Sequence, residues 1–333
     1  MLSQALTNRN RAAPARAFAQ LSTAFQSANG RNVMKNYAIF YRQIMTVIGI
    51  ALLMAGVTRT SQAEDERDYA DQSKFTRIAF PGADGTSVFG INPQGDIVGT
   101  YYNSTGVHGF VLGKGKYTSI EVPGAKPGTT QPSGINPRGD IVGTYADNSG
   151  NAHGFLLHYA TFSTIDPPGT TSTFANGINP RGDIVGSYAD SNGEHGFLLS
   201  QGTYSTIDAP RAVAAAGGTG AQGINPKGDI VGSFSDVNFN THGFLLKNGI
   251  FTNLDAPGTS YTFANGINPK DDIVGYYNGS DGHVHGFLLS EGTFSTIDPP
   301  GSTFTQAWGI SPQGDIVGYY LRRQHYYGFL RSK

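Results

Sequence analysis

The chain has 333 residues with 46 Gly, 17 Pro, 20 Phe, 17 Tyr, one Trp and no Cys, and the missing cysteines exclude disulfides, thiolate metal sites and cysteine nucleophiles together. Residues 1–63 hold seven bases (Arg9, Arg11, Arg16, Arg31, Lys35, Arg42, Arg59) and no acid, so residues 64–333 carry the remaining 16 bases against all 24 acids, a net of −8. An acidic body offers no positive field to a phosphate backbone, so no nucleic-acid partner is expected.

Taken in chain order, the first element is a leader. Residues 44–57, IMTVIGIALLMAGV, are an uncharged apolar run preceded by Lys35 and Arg42. It is shorter than the roughly 20 residues a bilayer-spanning helix needs. Ser61-Gln62-Ala63 follows with small residues where a cleavage site wants them, and then Glu64-Asp65-Glu66. This is the order of a secretory signal. Met34 offers it a compact start. The expectation is a leader over 1–63 cleaved after 63, a short linker over 64–74, and an exported chain with no membrane span in its mature part.

The rest of the chain is periodic. Gly-Ile-(Asn/Ser)-Pro-x-(Gly/Asp)-Asp-Ile-Val-Gly begins at Gly90, Gly134, Gly177, Gly223, Gly266 and Gly309. Each copy divides into four short segments with strand character. A runs through Gly-Ile-Asn, B is Asp-Ile-Val-Gly-x-Tyr, C is His-Gly-Phe-Leu-Leu, and D is Phe-Ser-Thr-Ile-Asp. Asn-Pro-x-Gly supplies a hairpin loop between A and B. Lys114-Gly115, Gln201-Gly202, Asn248-Gly249 and Glu291-Gly292 suit two-residue type I′ turns between C and D. Tyr159-Ala160 stands at the same place in the second copy without a turn-forming residue.

Four-stranded units at this period predict propeller blades. The sixth copy ends at residues 327–330 without a D strand, and the body opens with an orphan one, Phe75–Phe80. The fold expected is therefore all-β: a six-bladed β-propeller over 75–333, closed by strand 75–80 pairing with the last blade.

One pair recurs with the repeat. His108, His153, His195, His242 and His285 open the C strands, and Glu121, Asp166, Asp208, Asp255 and Asp298 stand thirteen residues later. A two-residue turn at the hairpin centre sets residues at this separation opposite each other. The sixth copy has Tyr327 and, on the orphan strand, Ala79, so both members are lost together. Five copies around a ring point to a structural pair, satisfying buried polar groups at the hairpin ends, rather than to a catalytic acid–base couple. A Thr four residues before each Gly-Ile (Thr86, Thr130, Thr173, Thr219, Thr262, Thr305) either bonds the loop backbone or forms a hydroxyl ring at the channel mouth.

Binding specificity should sit where the period breaks. Trp308 replaces Phe89, Ser133, Asn176, Gln222 or Asn265 of the other copies. Arg211 opens the longest D–A loop, His283 stands beside Asp281 in the fifth B–C loop, and Arg322, Arg323 and His325 place a basic cluster in the sixth. Trp with Arg can stack on and clamp an anionic sugar or other polar ligand; the alternative is an inner-strand Trp that packs and an Arg pair on a solvated loop. Asp147–Gly150 and Asp190–Gly193 resemble calcium loops but lack the later bidentate Glu, so no cofactor is predicted and calcium is only weakly supported. No nucleophile elbow, zinc motif or phosphate loop is present.

The His-Gly-Phe-Leu and Gly-Ile-Asn-x-x-Gly-x-Ile-Val-Gly segments resemble the HAF family of bacterial extracellular repeats over about residues 75–333. That resemblance implies export and a propeller-like array, and it carries over no reaction and no catalytic residue. The copies here are more uniform than the family pattern, with His-Gly-Phe where His-Ala-Phe is commoner. The expected function is a non-catalytic propeller that binds a glycan, cell-surface component or protein through its loop face. The alternative is a carbohydrate-active or ester-cleaving enzyme with its site at the channel mouth.

Overall fold

The structure is a computed structural model and describes residues 74–214 and 217–333. The leader, its apolar segment 44–57, the cleavage position after 63 and the linker up to residue 73 lie outside the described residues. Among the described residues there are twenty-four strands, and no helix is long and apolar enough to cross a membrane.

The third copy shows why these residues form strands. β10 (Ser172–Ile178), β11 (Ile184–Ala189), β12 (Glu194–Ser200) and β13 (Thr203–Ile207) make one antiparallel sheet in chain order. The A–B turn is built by Asn179, whose side-chain oxygen accepts the N–H groups of Arg181 at 2.9 Å and Asp183 at 3.0 Å. Gly182 closes the turn at φ +92°, and Asp271 takes the same left-handed place in the fifth copy at φ +67°. The C–D turns have both residues at positive φ, as a type I′ turn requires, including Tyr159 (φ 45°) and Ala160 (φ 62°). Two well-paired strands impose that turn on a dipeptide that does not favour it.

Copies one to four each form a separate four-stranded sheet. In the last two copies, β20 (Val284–Ser290) and β22 (Phe304–Ile310) meet through one parallel bridge, Val284 opposite Phe304. The sixth copy supplies three strands, and β1 (Phe75–Ile78) pairs antiparallel with β24 (His325–Arg331), Phe75 opposite Arg331 and Ile78 opposite Gly328. Ala79 and Tyr327 stand one position past the end of that ladder.

Two details of the A strand place the site. Every A–B ladder slips by one residue just before the repeat Gly. The extra residue is Phe89, Ser133, Asn176, Gln222, Asn265 or Trp308, so the position where the repeat varies most is a β-bulge, which re-aims a side chain. The repeat Gly lets neighbouring A strands approach closely. A Cβ built on Gly90 would lie 3.3 Å from the Cα of Gly134; the same contact runs from Gly134 to Gly177, Gly177 to Gly223, Gly223 to Gly266, Gly266 to Gly309 and Gly309 to Gly90.

The core lies between consecutive sheets. The C-strand phenylalanines Phe110, Phe155, Phe197, Phe244, Phe287 and Phe329 are fully buried, as are the B-strand valines. Val185 of the third copy packs with Ile230 and Phe244 of the fourth, and Val317 of the sixth packs with Val88, Ile97 and Phe110 of the first. Burying six such phenylalanines stabilises the domain by roughly 2–3 kcal/mol each at the usual transfer value.

Candidate functional site

The five histidines and their strand-D acids are hydrogen-bonded through Nδ1: His108–Glu121 2.6 Å, His153–Asp166 2.7 Å, His195–Asp208 3.0 Å, His242–Asp255 3.0 Å and His285–Asp298 2.6 Å. The expectation that these pairs satisfy buried groups is corrected in one respect. The imidazoles are 15–28% exposed and the carboxylates 29–49%, because the pairs sit at the hairpin ends where the sheets open to solvent. Each ring also lies against an aromatic of strand B, as His195 does on Tyr188 with centroids 5.3 Å apart. In the sixth copy that place is taken by Tyr327 beside Tyr320, with the Arg77 guanidinium 5.0 Å from the Tyr327 ring centroid.

The repeat pattern does not reveal a second acid at the same ring. In four copies the other ring nitrogen faces an Asp of the B–C loop: Asp147 from His153 at 3.5 Å, Asp190 from His195 at 3.6 Å, Asp236 from His242 at 3.4 Å and Asp281 from His285 at 3.1 Å. In the first copy Thr105 Oγ takes that role at 2.7 Å from His108. Burial pulls the His153 imidazolium down, but Asp166 and then Asp147 outweigh it and hold its pKa above the ordinary value. His285 is raised in the same way by Asp298 and Asp281. The side chain and then the backbone N–H of Asn151 bring Asp147 down to about 2.

Those bonds bear on the calcium-like loops. Asp147 accepts the N–H of Asn151 at 2.8 Å, and Asp190 those of Asn192 at 2.6 Å and Gly193 at 3.3 Å. The carboxylates organise their own turns, and among the described residues no group of three or more His, Cys, Asp or Glu is arranged to hold a metal ion. The Thr reading resolves toward the loop backbone. All six threonines are buried, and Thr86, Thr130, Thr219 and Thr262 accept the N–H groups of Phe80, Val122, Ala209 and Ala256 at 2.9–3.1 Å. A hydroxyl ring lining the mouth is therefore wrong, because the hydroxyls face into the protein.

The aperiodic aromatics converge. Trp308 meets Phe89 of the first copy edge-on at 5.2 Å and Tyr276 of the fifth at 6.5 Å. Its Nε1 donates to Gln306 Oε1 at 3.1 Å, and the fully buried Tyr319 donates to the same oxygen at 2.6 Å. Burial drives the Tyr319 hydroxyl well above its usual pKa, so it remains a donor. Phe263 stacks on Tyr276 at 4.6 Å, and Phe304 and Tyr326 surround Tyr319 at 6.1 and 5.9 Å. Tyr276 and Tyr319 occupy the strand-B position that is Thr100, Thr144, Ser187 and Ser233 in the other copies. The departure was legible, but it lay inside a strand rather than a loop. The aromatic departures are thus the bulge residues of copies six and one and the strand-B residues of copies five and six, while the bulges of copies two to five carry Ser133, Asn176, Gln222 and Asn265.

The remaining candidates are dispersed. Arg211 is exposed ahead of the fourth copy, so the fourth and fifth sheets separate it in chain order from Trp308. Asp281 accepts the N–H of His283 at 3.0 Å and lies 3.2 Å from its Nδ1, joining His283 to the His285–Asp298 pair. Arg322, Arg323 and His325, expected as a basic cluster in the sixth B–C loop, stand at its two-residue turn, with Arg322 paired to His325 across it and Arg323 and Gln324 within it at positive φ. Arg322 Nε lies over Gly301, 3.0 Å from where a Cβ would be. Trp308 itself is held by aromatic rings and the Gln306 amide.

No family model matches this chain, and no curated protein matches it. Solved structures do. TolB from Acinetobacter baumannii aligns over 74% of this chain and 63% of its own at 12% identity with a TM-score of 0.50. A protein assigned as TolB from Agrobacterium tumefaciens aligns over 74% and 89% at 13% identity with a TM-score of 0.52. A fungal lectin from Aleuria aurantia, described as a six-bladed β-propeller with fucose recognition, aligns over 71% and 87% at 12% identity with a TM-score of 0.46. At these identities the likeness is one of fold, and the fold is a repeat-built β-propeller.

Proposed function

We propose that the protein is an exported six-bladed propeller of HAF-like repeats, sealed between its first strand and its last sheet. It binds a surface ligand, glycan or protein, at the mouth bounded by the D–A and B–C loops, without turning it over. The β1–β24 ladder, the Gly309–Gly90 approach and the packing of Val317 against the first copy support the sealed ring. The charge and apolar pattern of residues 35–63 supports export.

Asymmetry carries the binding reading. The A–B turns repeat almost without change, while inner-strand departures collect around Trp308 in three consecutive copies. A frame that needed only to fold would have no use for that concentration. The recurring His–acid pairs belong to the frame, since a reaction needs its acid–base couple once.

The test is to present the protein to a glycan array, to intact bacterial cells and to polysaccharide and ester substrates. Saturable capture without product release is expected. Product release at substoichiometric protein would instead establish the enzyme reading.

A further inference from the structure

We infer that the mouth of this ring takes a neutral, hydroxyl-rich saccharide, seated on the half-buried rings of Trp308 and Phe89. The inference rests on the binding reading above and names its ligand class.

Consider first what surrounds the inner strands. The six bulge residues are Phe89, Ser133, Asn176, Gln222, Asn265 and Trp308, and none carries a charge. The strand-B residues that share this region, from Thr100 round to Tyr319, are likewise Thr, Ser or Tyr. A body with 16 bases and 24 acids has kept every one of them away from these twelve positions. An anionic or cationic ligand brought here would lose water and meet no counter-charge, which is costly.

A purely apolar ligand fits no better. Asn176 Nδ2 donates to the Ala221 carbonyl and Asn265 Nδ2 to the Ala307 carbonyl, both at 2.9 Å. Each amide has a further N–H and a carbonyl oxygen to satisfy. Covering these groups with hydrocarbon would leave them unpaired. A sugar ring presents an apolar C–H face to an aromatic and hydroxyls around its rim. That division matches the half-buried bulge residues, where the rings of Trp308 and Phe89 stand in adjoining copies and Ser133, Asn176 and Gln222 present a hydroxyl and amides in the others.

The geometry of the aromatic pair argues for a seat rather than filler. Trp308 and Phe89 are nearly perpendicular, at 86°, and both retain exposure although they lie on the innermost strands. The Gln306 oxygen fixes the indole through Nε1 while also holding the buried Tyr319 hydroxyl. A side chain so oriented loses little freedom when a ligand arrives.

Trp308 is the chain's one tryptophan, so intrinsic fluorescence reports on this position alone. The protein is titrated with soluble neutral oligosaccharides (cellohexaose, maltohexaose, mannohexaose, galactobiose) and, in parallel, with oligogalacturonate and chondroitin sulfate. At least one neutral probe should shift the emission saturably, with the acidic probes at least about tenfold weaker. Trp308→Asn, which restores the fifth copy's residue, and Phe89→Ser, which restores the second's, are then tested by calorimetry with that probe. Each should weaken binding by more than about tenfold, with folding checked by thermal melting. Emission unmoved by every neutral probe, or tighter response to the acidic ones, overturns the inference. Capture of a protein or cell surface with Trp308 silent overturns it too while leaving the binding reading intact. Absence of capture in every format removes both.

Discussion

Gly309 lies against Gly90: a Cβ on Gly309 would stand 3.3 Å from the Gly90 Cα and 2.8 Å from the carbonyl oxygen of Phe89. Gly177 makes the equivalent approach within the body of the chain, 2.7 Å from the carbonyl oxygen of Gln222. Both neighbours are backbone, so an added methyl forces the strands apart. Overpacking of this kind costs about 1–3 kcal/mol. Gly309→Ala and Gly177→Ala should therefore lower the melting temperature by similar amounts, measured by calorimetry. If Gly177→Ala is destabilised and Gly309→Ala is not, the sixth and first sheets do not meet.

The clamped histidines predict a stability profile with pH. His153 and His285 have folded pKa values above the ordinary 6.5, so their contribution is complete below about 6.5 and is lost as pH rises through the raised values. Asp147 runs the other way: lowered from 3.8 to about 2, it contributes above about 3.8 and stops as pH falls toward 2. The melting temperature should be highest between about pH 4 and 6.5. Partly exposed pairs are screened by solvent and contribute little each, so the alkaline decline should be gradual. His153→Gln combined with His285→Gln should flatten that decline and leave any ligand capture unchanged. A profile of unaltered slope in the double variant would show that these rings do not titrate with folding.

Ala160 offers a stabilising change. It sits at φ +62° in the C–D turn, where the first, third, fourth and fifth copies have Gly115, Gly202, Gly249 and Gly292. The left-handed conformation costs a non-Gly residue roughly 1–2 kcal/mol. Glycine gives back about 0.4–1 kcal/mol through the unfolded chain's freedom. Relief of the strain outweighs that loss, so Ala160→Gly should raise the melting temperature. A fall would mean that the flanking strands do not force this turn.

What the sequence disclosed and what it hid follow from the geometry of two hairpins. The C–D turn has a fixed two-residue length, so His and strand-D acid keep a constant offset and show as a repeat. The B–C turn varies in length. Asp147 precedes His153 by six residues, Asp190 precedes His195 by five and Asp281 precedes His285 by four. No single spacing captures them, although all three face the same ring nitrogen, Asp190 from 3.6 Å without a hydrogen bond. The strand plan was legible because turn chemistry marks it in every copy. The partners of Trp308 were not, because the strand plan gives which copies adjoin but not where a β-bulge aims its side chain.

Phe239 is the departure best suited to a direct test of the loop face. It occupies the fourth position of the loop Asp236–Asn240, where Gly150 stands in the matching loop of the second copy. Both loops close with the same bonds: Phe239 N–H donates to the Asp236 carbonyl at 3.1 Å and Gly150 N–H to the Asp147 carbonyl at 3.0 Å. Phe239 adopts φ +64° to do so and leaves 71% of its surface in water, with Val237 beside it at 73%. Neither packing nor turn geometry benefits from a phenylalanine there, and glycine would remove the strain. Phe239→Gly should therefore raise the melting temperature while weakening capture of whatever the loop face holds. Phe239→Ala, which keeps the left-handed strain and removes the ring, should weaken capture by a similar factor without the gain in stability. If both variants capture the ligand as well as the parent protein does, this loop lies outside the binding face.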